Sequence, residues 1–223
     1  NSIEKGMVFA LSLQQSNGAI AWNVDKLGIV DEDYLLTGCS SIAKSIECSL
    51  AICEILNKSD FKSTLLNAHS NLLNAIENPK GIFDLKKDRS RFSMDWYYPI
   101  LSGANPKDNF ARLLNKISDI FWIPGVGIKC VADEPWVTVA ETCECSIAFK
   151  KIGLEKNAQE LLLNAAAIVD ENSVPYMGWQ LEEKIYWPEE QPSWTSGALI
   201  LAADANNALT KAANLFLRKQ FSS

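Results

Sequence analysis

The sequence predicts an all-α protein built from repeated helical hairpins, and three observations carry that expectation. Four segments of small and apolar residues begin near Thr37, Met94, Trp136 and Trp194, which are 57, 42 and 58 residues apart. Between them lie amphipathic stretches with one charged face, of the kind that stacks on a neighbour to share a core. No stretch of alternating apolar and polar residues competes as a strand. At 223 residues and 48% hydrophobic content, the chain fits a single compact domain spanning residues 1–223.

Taken in order, residues Ile3 to Leu13 read as the end of a helix, and QQSNGAIAW follows with the turn residues Asn17 and Gly18. A loop runs to about Leu36. From Thr37, TGCSSIAKSIECSLAICEIL reads as a long inner helix with Thr37, Ser40 or Ser41 available as caps. SDFKSTLLNAHSNLLNAIENP is an outer helix that stops before Pro79. Gly81 to Arg91 is basic and irregular, and RFSMDWYYPILSGA then brings Asp95, Trp96, Tyr97 and Tyr98 together. PKDNFARLLNKISDIFW is expected to form the next helix, with its Pro at the first position. The loop IPGVGIKCVADEP follows; its GVG at Gly125 to Gly127 lacks the later Gly of a dinucleotide loop. LEKNAQELLLNAAAIVD is outer-like, and a loop of about 22 residues carries Tyr176, Trp179, Tyr186 and Trp187. SWTSGALILAADA is the last inner segment, and one further helix is expected through Phe216.

The stretch DEPWVTVAETCECSIAFKKIGL, Asp133 to Leu154, organises the rest. Pro135 suits a helix start, and Trp136, Ala140, Cys143 and Ile147 recur at helical spacing. On a helical wheel Glu144 lies roughly 40° and Glu141 about 100° from Ala140, while Cys145 and Phe149 fall opposite. The helix is therefore apolar on two sides and belongs inside an assembly. Neither acid has a Lys or Arg four residues onward, since Cys145 and Ala148 stand there, so a helical surface ion pair does not explain them.

A formal charge of −6 argues against a nucleic-acid partner, which a basic patch would attract. No run of about 18 apolar residues and no basic start with an apolar signal segment is found, so no membrane span is expected and the reading is a soluble, cytoplasmic protein. The six cysteines read as reduced core thiols. Cys143 and Cys145 point to opposite sides of a helix, and the only histidine, His69, is a packed or surface helix residue. No metal site and no cofactor are expected.

Helical hairpins with aromatic and acidic residues at inner-helix starts resemble the α/α-toroid proteins, which include the six-hairpin glycosidases and the terpenoid cyclase and prenyltransferase toroids. RFSMDWYYPILSG, PWVTVAETCE and WPEEQPSWTSGALILAADA are similar, over most of the chain, to bacterial proteins labelled prenyltransferase-like. The fold this implies is an α/α toroid. KGMVFALSLQQSNGAIAW, Lys5 to Trp22, resembles the cyclase repeat in which Gln, Gly and Trp tie a helix end to a loop, with Ala10 in place of a larger aliphatic. The chemistry of the isoprenoid side is missing, because Asp31-Glu32-Asp33 is not a DxDD cluster and no Asp, Cys and His zinc set is present.

The sugar-processing side asks for two carboxylates across a cleft. Asp95, Glu141, Glu144 and Glu190 lie near inner-helix starts, accompanied by Trp96, Tyr97, Tyr98, Trp136, Trp187 and Trp194 as flat faces for a sugar ring. Packing and helix capping are the competing explanations for these residue types. The leading expectation is a carbohydrate-active enzyme with Asp95 and Glu141 as acid and base, in either order, and Glu144 or Glu190 in support. Asp95, Glu141 and Glu190 are expected at one cavity lined by Trp136 and Trp194. The alternatives are a non-catalytic glycan- or protein-binding toroid and an isoprenoid-handling protein.

At about 52 residues per unit, six hairpins need roughly 310 residues. The chain is thus expected to hold about four of six hairpins. Its open side would be covered by missing N-terminal hairpins, by a partner, or by a second copy in a homodimer.

Overall fold

The computed structural model describes residues 2–104 and 114–221. The chain forms two compact units, the first from residues 2–89, 102–104 and 219–221 and the second from residues 90–101 and 114–218.

In the first unit, α1 (Ser2–Ser12) precedes a long loop, α2 (Leu36–Ile55) and α3 (Ser59–Glu77). α2 packs on α3 around Ile46, Leu50, Leu65, Leu72 and Ile76, all fully buried. α3 is amphipathic and buries only Leu65, Ala68, Leu72, Ala75 and Ile76, as an outer helix does. α2 is buried on several sides and holds the pair Lys44–Glu47 at 2.8 Å within it. The loop after α1 is tied by Gln14, whose Nε2 donates to Gly18 O and Ala68 O, both at 2.9 Å. Gly18, at φ +86°, lies so close to α3 that a Cβ would stand 2.3 Å from Asn71 O. Trp22 takes no part in that tie and is exposed, and α1 buries none of its residues.

The second unit contains α4 (Met94–Ser102), a π-helical turn (Ile117–Phe121), the hairpin β1 (Trp122–Ile123) and β2 (Gly127–Ile128), and β3 (Trp136–Thr138). It continues with α5 (Val139–Lys151), α6 (Glu155–Ala166), β4 (Gly178–Gln180), β5 (Ile185–Tyr186) and α7 (Ser193–Asn207), and ends with α8 (Asn214–Leu217). α5 packs against α6 and α7 at the centre. Val139 to Cys143 and Cys145 to Phe149 are all buried, so α5 is apolar nearly all round.

The all-α expectation is overturned by a three-stranded antiparallel sheet, β3-β4-β5. Trp136 pairs with Gln180, Val137 with Trp179 and Thr138 with Gly178; Trp179 then pairs with Tyr186 and Gln180 with Ile185. Pro135 does not open a helix. Its carbonyl accepts from Leu181 N at 2.7 Å, and the aromatic and β-branched run Trp136-Val137-Thr138 takes the extended conformation it favours. Helix α5 starts only at Val139, after Thr138 at φ −116°, ψ 140°. The segment expected as a long loop supplies the other two strands. With the sheet in place, the toroid of helical hairpins alone falls with the all-α class.

The helix expected from Pro106 has its first part at residues 106–113, outside the described residues; residues 114–116 are helical and the π turn completes it. The single helix expected through Phe216 is broken. Ala208 takes φ +53° and ends α7, and the Asp204 carboxylate accepts from Thr210 N at 2.7 Å and Thr210 Oγ1 at 2.6 Å, turning the chain before α8. Among the described residues no helix is long and apolar enough to cross a membrane.

Candidate active site

The start of α4 and the start of α5 are held beside the same segment. Ser93 N donates to Cys130 O at 3.0 Å, and Phe92 and Val131 form an antiparallel bridge. Ala132 N donates to Arg91 O at 2.8 Å, and the Arg91 guanidinium grips Asp133 through Nε at 3.0 Å and Nη2 at 2.8 Å. From the other side, Thr142 Oγ1 accepts from Ile128 N at 2.9 Å and donates to Thr138 O at 2.6 Å, so hairpin β1–β2 abuts α5. The GVG turn serves this packing. A Cβ on Gly127 would lie 2.6 Å from Thr142 Oγ1 and 2.8 Å from Val137 Cγ1.

Glu141 and Glu144 stand three residues apart in the first turns of α5 and therefore on adjoining faces. Glu141 is buried, at 9% exposure, and its Oε2 is enclosed with no hydrogen-bond partner. Such a group calls for a water or a ligand atom. Glu144 is half-buried. Its Oε2 accepts from the Tyr97 hydroxyl at 2.6 Å and its Oε1 from the Tyr98 hydroxyl at 3.0 Å. Burial pushes the Glu144 carboxyl up to about 7, the neighbouring Glu141 adds to the rise, and the two tyrosine hydrogen bonds oppose it.

The tyrosines keep their protons. Burial and the Glu144 charge raise both phenols, Tyr97 most of all because it is fully enclosed. The Cys130 thiol is pushed up to about 12, first by burial and then by Glu141, which it faces. Cys143 and Cys145 are likewise raised by burial and stay thiols.

The other residues singled out by the sequence are placed as follows. Asp95 is buried in the first turn of α4, one turn before Tyr98. Trp96 is half-buried and donates Nε1–H to Ser90 O at 2.8 Å. Tyr97 offers its hydroxyl and not its ring, since the side chain is fully buried. Trp136 and Trp187 lie against each other, tilted by 36°, with ring centroids 4.7 Å apart. Glu190 is exposed, and its backbone carbonyl accepts from Met177 N at 2.8 Å. Trp194 is exposed at the start of α7. Among the described residues, neither Glu190 nor Trp194 hydrogen-bonds or stacks with the Glu141–Glu144 cluster. Cys130, which faces Glu141, sits in a loop whose sequence carries no periodic signal for it. No group of three or more His, Cys, Asp or Glu side chains among the described residues is placed to hold a metal ion.

The arrangement offers one carboxyl that still carries a proton at neutral pH beside a second carboxyl with an oxygen lacking a partner. That pairing can give a proton to one atom while the other acid acts on a second.

No protein-family model matches this chain. Over 215 residues the chain is 36% identical to the MMP endo-(1,4)-3-O-methyl-alpha-D-mannosidase of Mycolicibacterium hassiacum. The match takes in 96% of this chain and 58% of that enzyme, so the chain spans somewhat over half of its relative's length. The relative is a glycosidase, and it lends no support to the prenyltransferase-like resemblance.

Proposed function

We propose that the α4–α5 cluster is the acid–base site of a glycoside hydrolase acting on 1,4-linked alpha-mannosides of the 3-O-methylated kind named for the relative. Glu144 is the proton donor to the departing glycosidic oxygen. Glu141 and Asp95 are the carboxylates that face the anomeric carbon or the attacking water. Trp96 and Trp194 border the saccharide, and Glu190 accepts from its hydroxyls.

The observation that carries this reading is the Glu144 carboxyl, raised to about 7 and held by two tyrosine hydroxyls next to a second acid. A carboxylic acid near its ordinary value would be empty of protons at neutral pH; this one is about half loaded. Similarity to a glycosidase over nearly the whole chain supports the same choice.

The test is release of reducing ends from a 1,4-linked 3-O-methylmannose oligosaccharide by the full protein. Loss of about 100-fold or more in Glu144→Gln, with the helical circular-dichroism signal intact, is the expected result. Undiminished hydrolysis in that variant would overturn the assignment.

A further inference from the structure

The three-stranded sheet has two faces of different character, and register sorts its side chains between them. Val137, Trp179 and Tyr186 are directly paired and share one face. That face turns inward along β3 and β4, where Val137 is fully buried and Trp179 packs on the core; at its β5 edge Tyr186, 36% exposed, meets Trp179 edge-on at 5.3 Å and stacks on Tyr176 at 4.0 Å. Trp136, Gln180 and Ile185 are paired across the other face. Trp187 follows Tyr186 and returns to that outer face, where its ring lies 4.7 Å from Trp136 at an interplanar angle of 36°. Ile185 and Trp187 are 44% and 42% exposed.

Trp136 thus lies against the Trp187 indole, tilted to it, while 42% of the Trp187 surface is open to solvent. A rigid flat ring, supported from behind and fixed at the backbone by Trp187 N donating to Gly178 O at 3.1 Å, is a preorganised stacking surface. The chain on either side of it in sequence is acidic, with Glu182, Glu183, Glu189 and Glu190 exposed against the one cation Lys184 between Glu182 and Glu190. An anionic ligand would be disfavoured beside that run of acids. A neutral polyol would find hydroxyl acceptors in it and an apolar plane between them.

The strand that carries Trp136 runs straight into α5. Trp136 and Glu141 are five residues apart, hence no more than about 18 Å even along a fully extended path. We infer that the outer face of β3-β4-β5 is a further saccharide subsite, in which Trp187 stacks on a sugar unit of a bound chain and Trp136 positions it. The inference rests on the glycoside-hydrolase reading for the identity of the sugar. It adds that the protein holds units of the chain besides those at the scissile bond.

The experiment is calorimetric binding of 3-O-methylmannose oligosaccharides, a disaccharide and an octasaccharide, to the full protein carrying Glu144→Gln so that the ligand survives. The octasaccharide is expected to bind about 10-fold more tightly than the disaccharide, and Trp187→Ala in the same background should abolish that preference. Trp187→Tyr should restore part of it, and Trp136→Leu should weaken it while Trp187 is still present. The melting temperature of each variant reports whether the sheet has survived. A length preference untouched by Trp187→Ala overturns the subsite, even where the parent protein cleaves the glycan. Length-dependent binding through Trp187 in a protein that cleaves nothing sustains the subsite and sinks the hydrolase reading. Failure of both oligosaccharides to bind the Glu144→Gln protein overturns both.

Discussion

Tyr97 donates its hydroxyl to Glu144 Oε2 at 2.6 Å although the two residues are 47 positions apart, one on α4 and one on α5. The bond joins a fully buried phenol to a half-buried acid, so it is strong and is not diluted by solvent. It favours the charged carboxylate, whereas burial and Glu141 favour the neutral acid, and their balance leaves the Glu144 pKa at about 7.

Removing that donor should therefore raise the Glu144 pKa. A hydrogen bond to a charged group is worth roughly 1.5–3 kcal/mol, so Tyr97→Phe is expected to move it up by about one unit or more. With Glu144 as the proton donor, the alkaline limb of the pH–rate profile shifts upward by the same amount. Tyr98→Phe should do the same to a smaller degree, since its bond is longer at 3.0 Å. Profiles that coincide with the parent's would show that Glu144 is not the titrating donor.

Glu141→Gln tests the other member. The negative charge of Glu141 raises Glu144, so neutralising it should lower the Glu144 pKa and draw the alkaline limb downward. Turnover should fall by about 100-fold or more, because the amide keeps the shape but cannot accept the proton or attack. A variant with full turnover and an unshifted limb would remove Glu141 from the site.

Stability should follow the same ionisation. The folded pKa of Glu144 lies above its unfolded value of 4.5, so the native state binds more protons between the two. The contribution is fully present below about 4.5 and is lost as pH rises through about 7, to a total of about 3 kcal/mol. Glu144→Gln cannot titrate, so its advantage in melting temperature over the parent should grow with pH across that window. A difference that stays flat would show that the carboxyl is not raised.

The outer helices were legible because α3 and α6 each carry one apolar stripe over several turns. The carboxylates of α5 were legible for a different reason: acids on an inner helix without a Lys or Arg four residues on need another explanation. The sheet was not legible. Its strands are two or three residues long, too short for alternation to register, and β3 finds its partner about 40 residues later. Pro135 and the spacing of Trp136, Ala140, Cys143 and Ile147 matched a helix start that non-local pairing overrode by three residues. From sequence alone Tyr97 and Tyr98 read as flat faces for a sugar ring. Which part of a ring is presented depends on burial, and the structure presents the hydroxyls.

The two glycines of the GVG turn give the sharpest structural test, because one is crowded and the other is not. Gly127 has φ +143°, and an added Cβ would press on Thr142 Oγ1 at 2.6 Å and Val137 Cγ1 at 2.8 Å, both inside the packed junction of β2, β3 and α5. Thr142 cannot give way freely, since its hydroxyl is bonded to Ile128 N and Thr138 O. Gly127→Ala should therefore cost about 3 kcal/mol or more, combining backbone strain with overpacking. Gly125 also has a positive φ, +75°, but nothing lies within 4 Å of its Cβ position. Gly125→Ala should cost only the left-handed backbone term, about 1 kcal/mol. Denaturant midpoints of the two variants decide the matter: equal losses would mean that the turn is not wedged against α5. Because Thr142 lies between Glu141 and Cys143 on the helix that carries the acids, Gly127→Ala should also disturb the Glu144 pH limb, and Gly125→Ala should leave it in place.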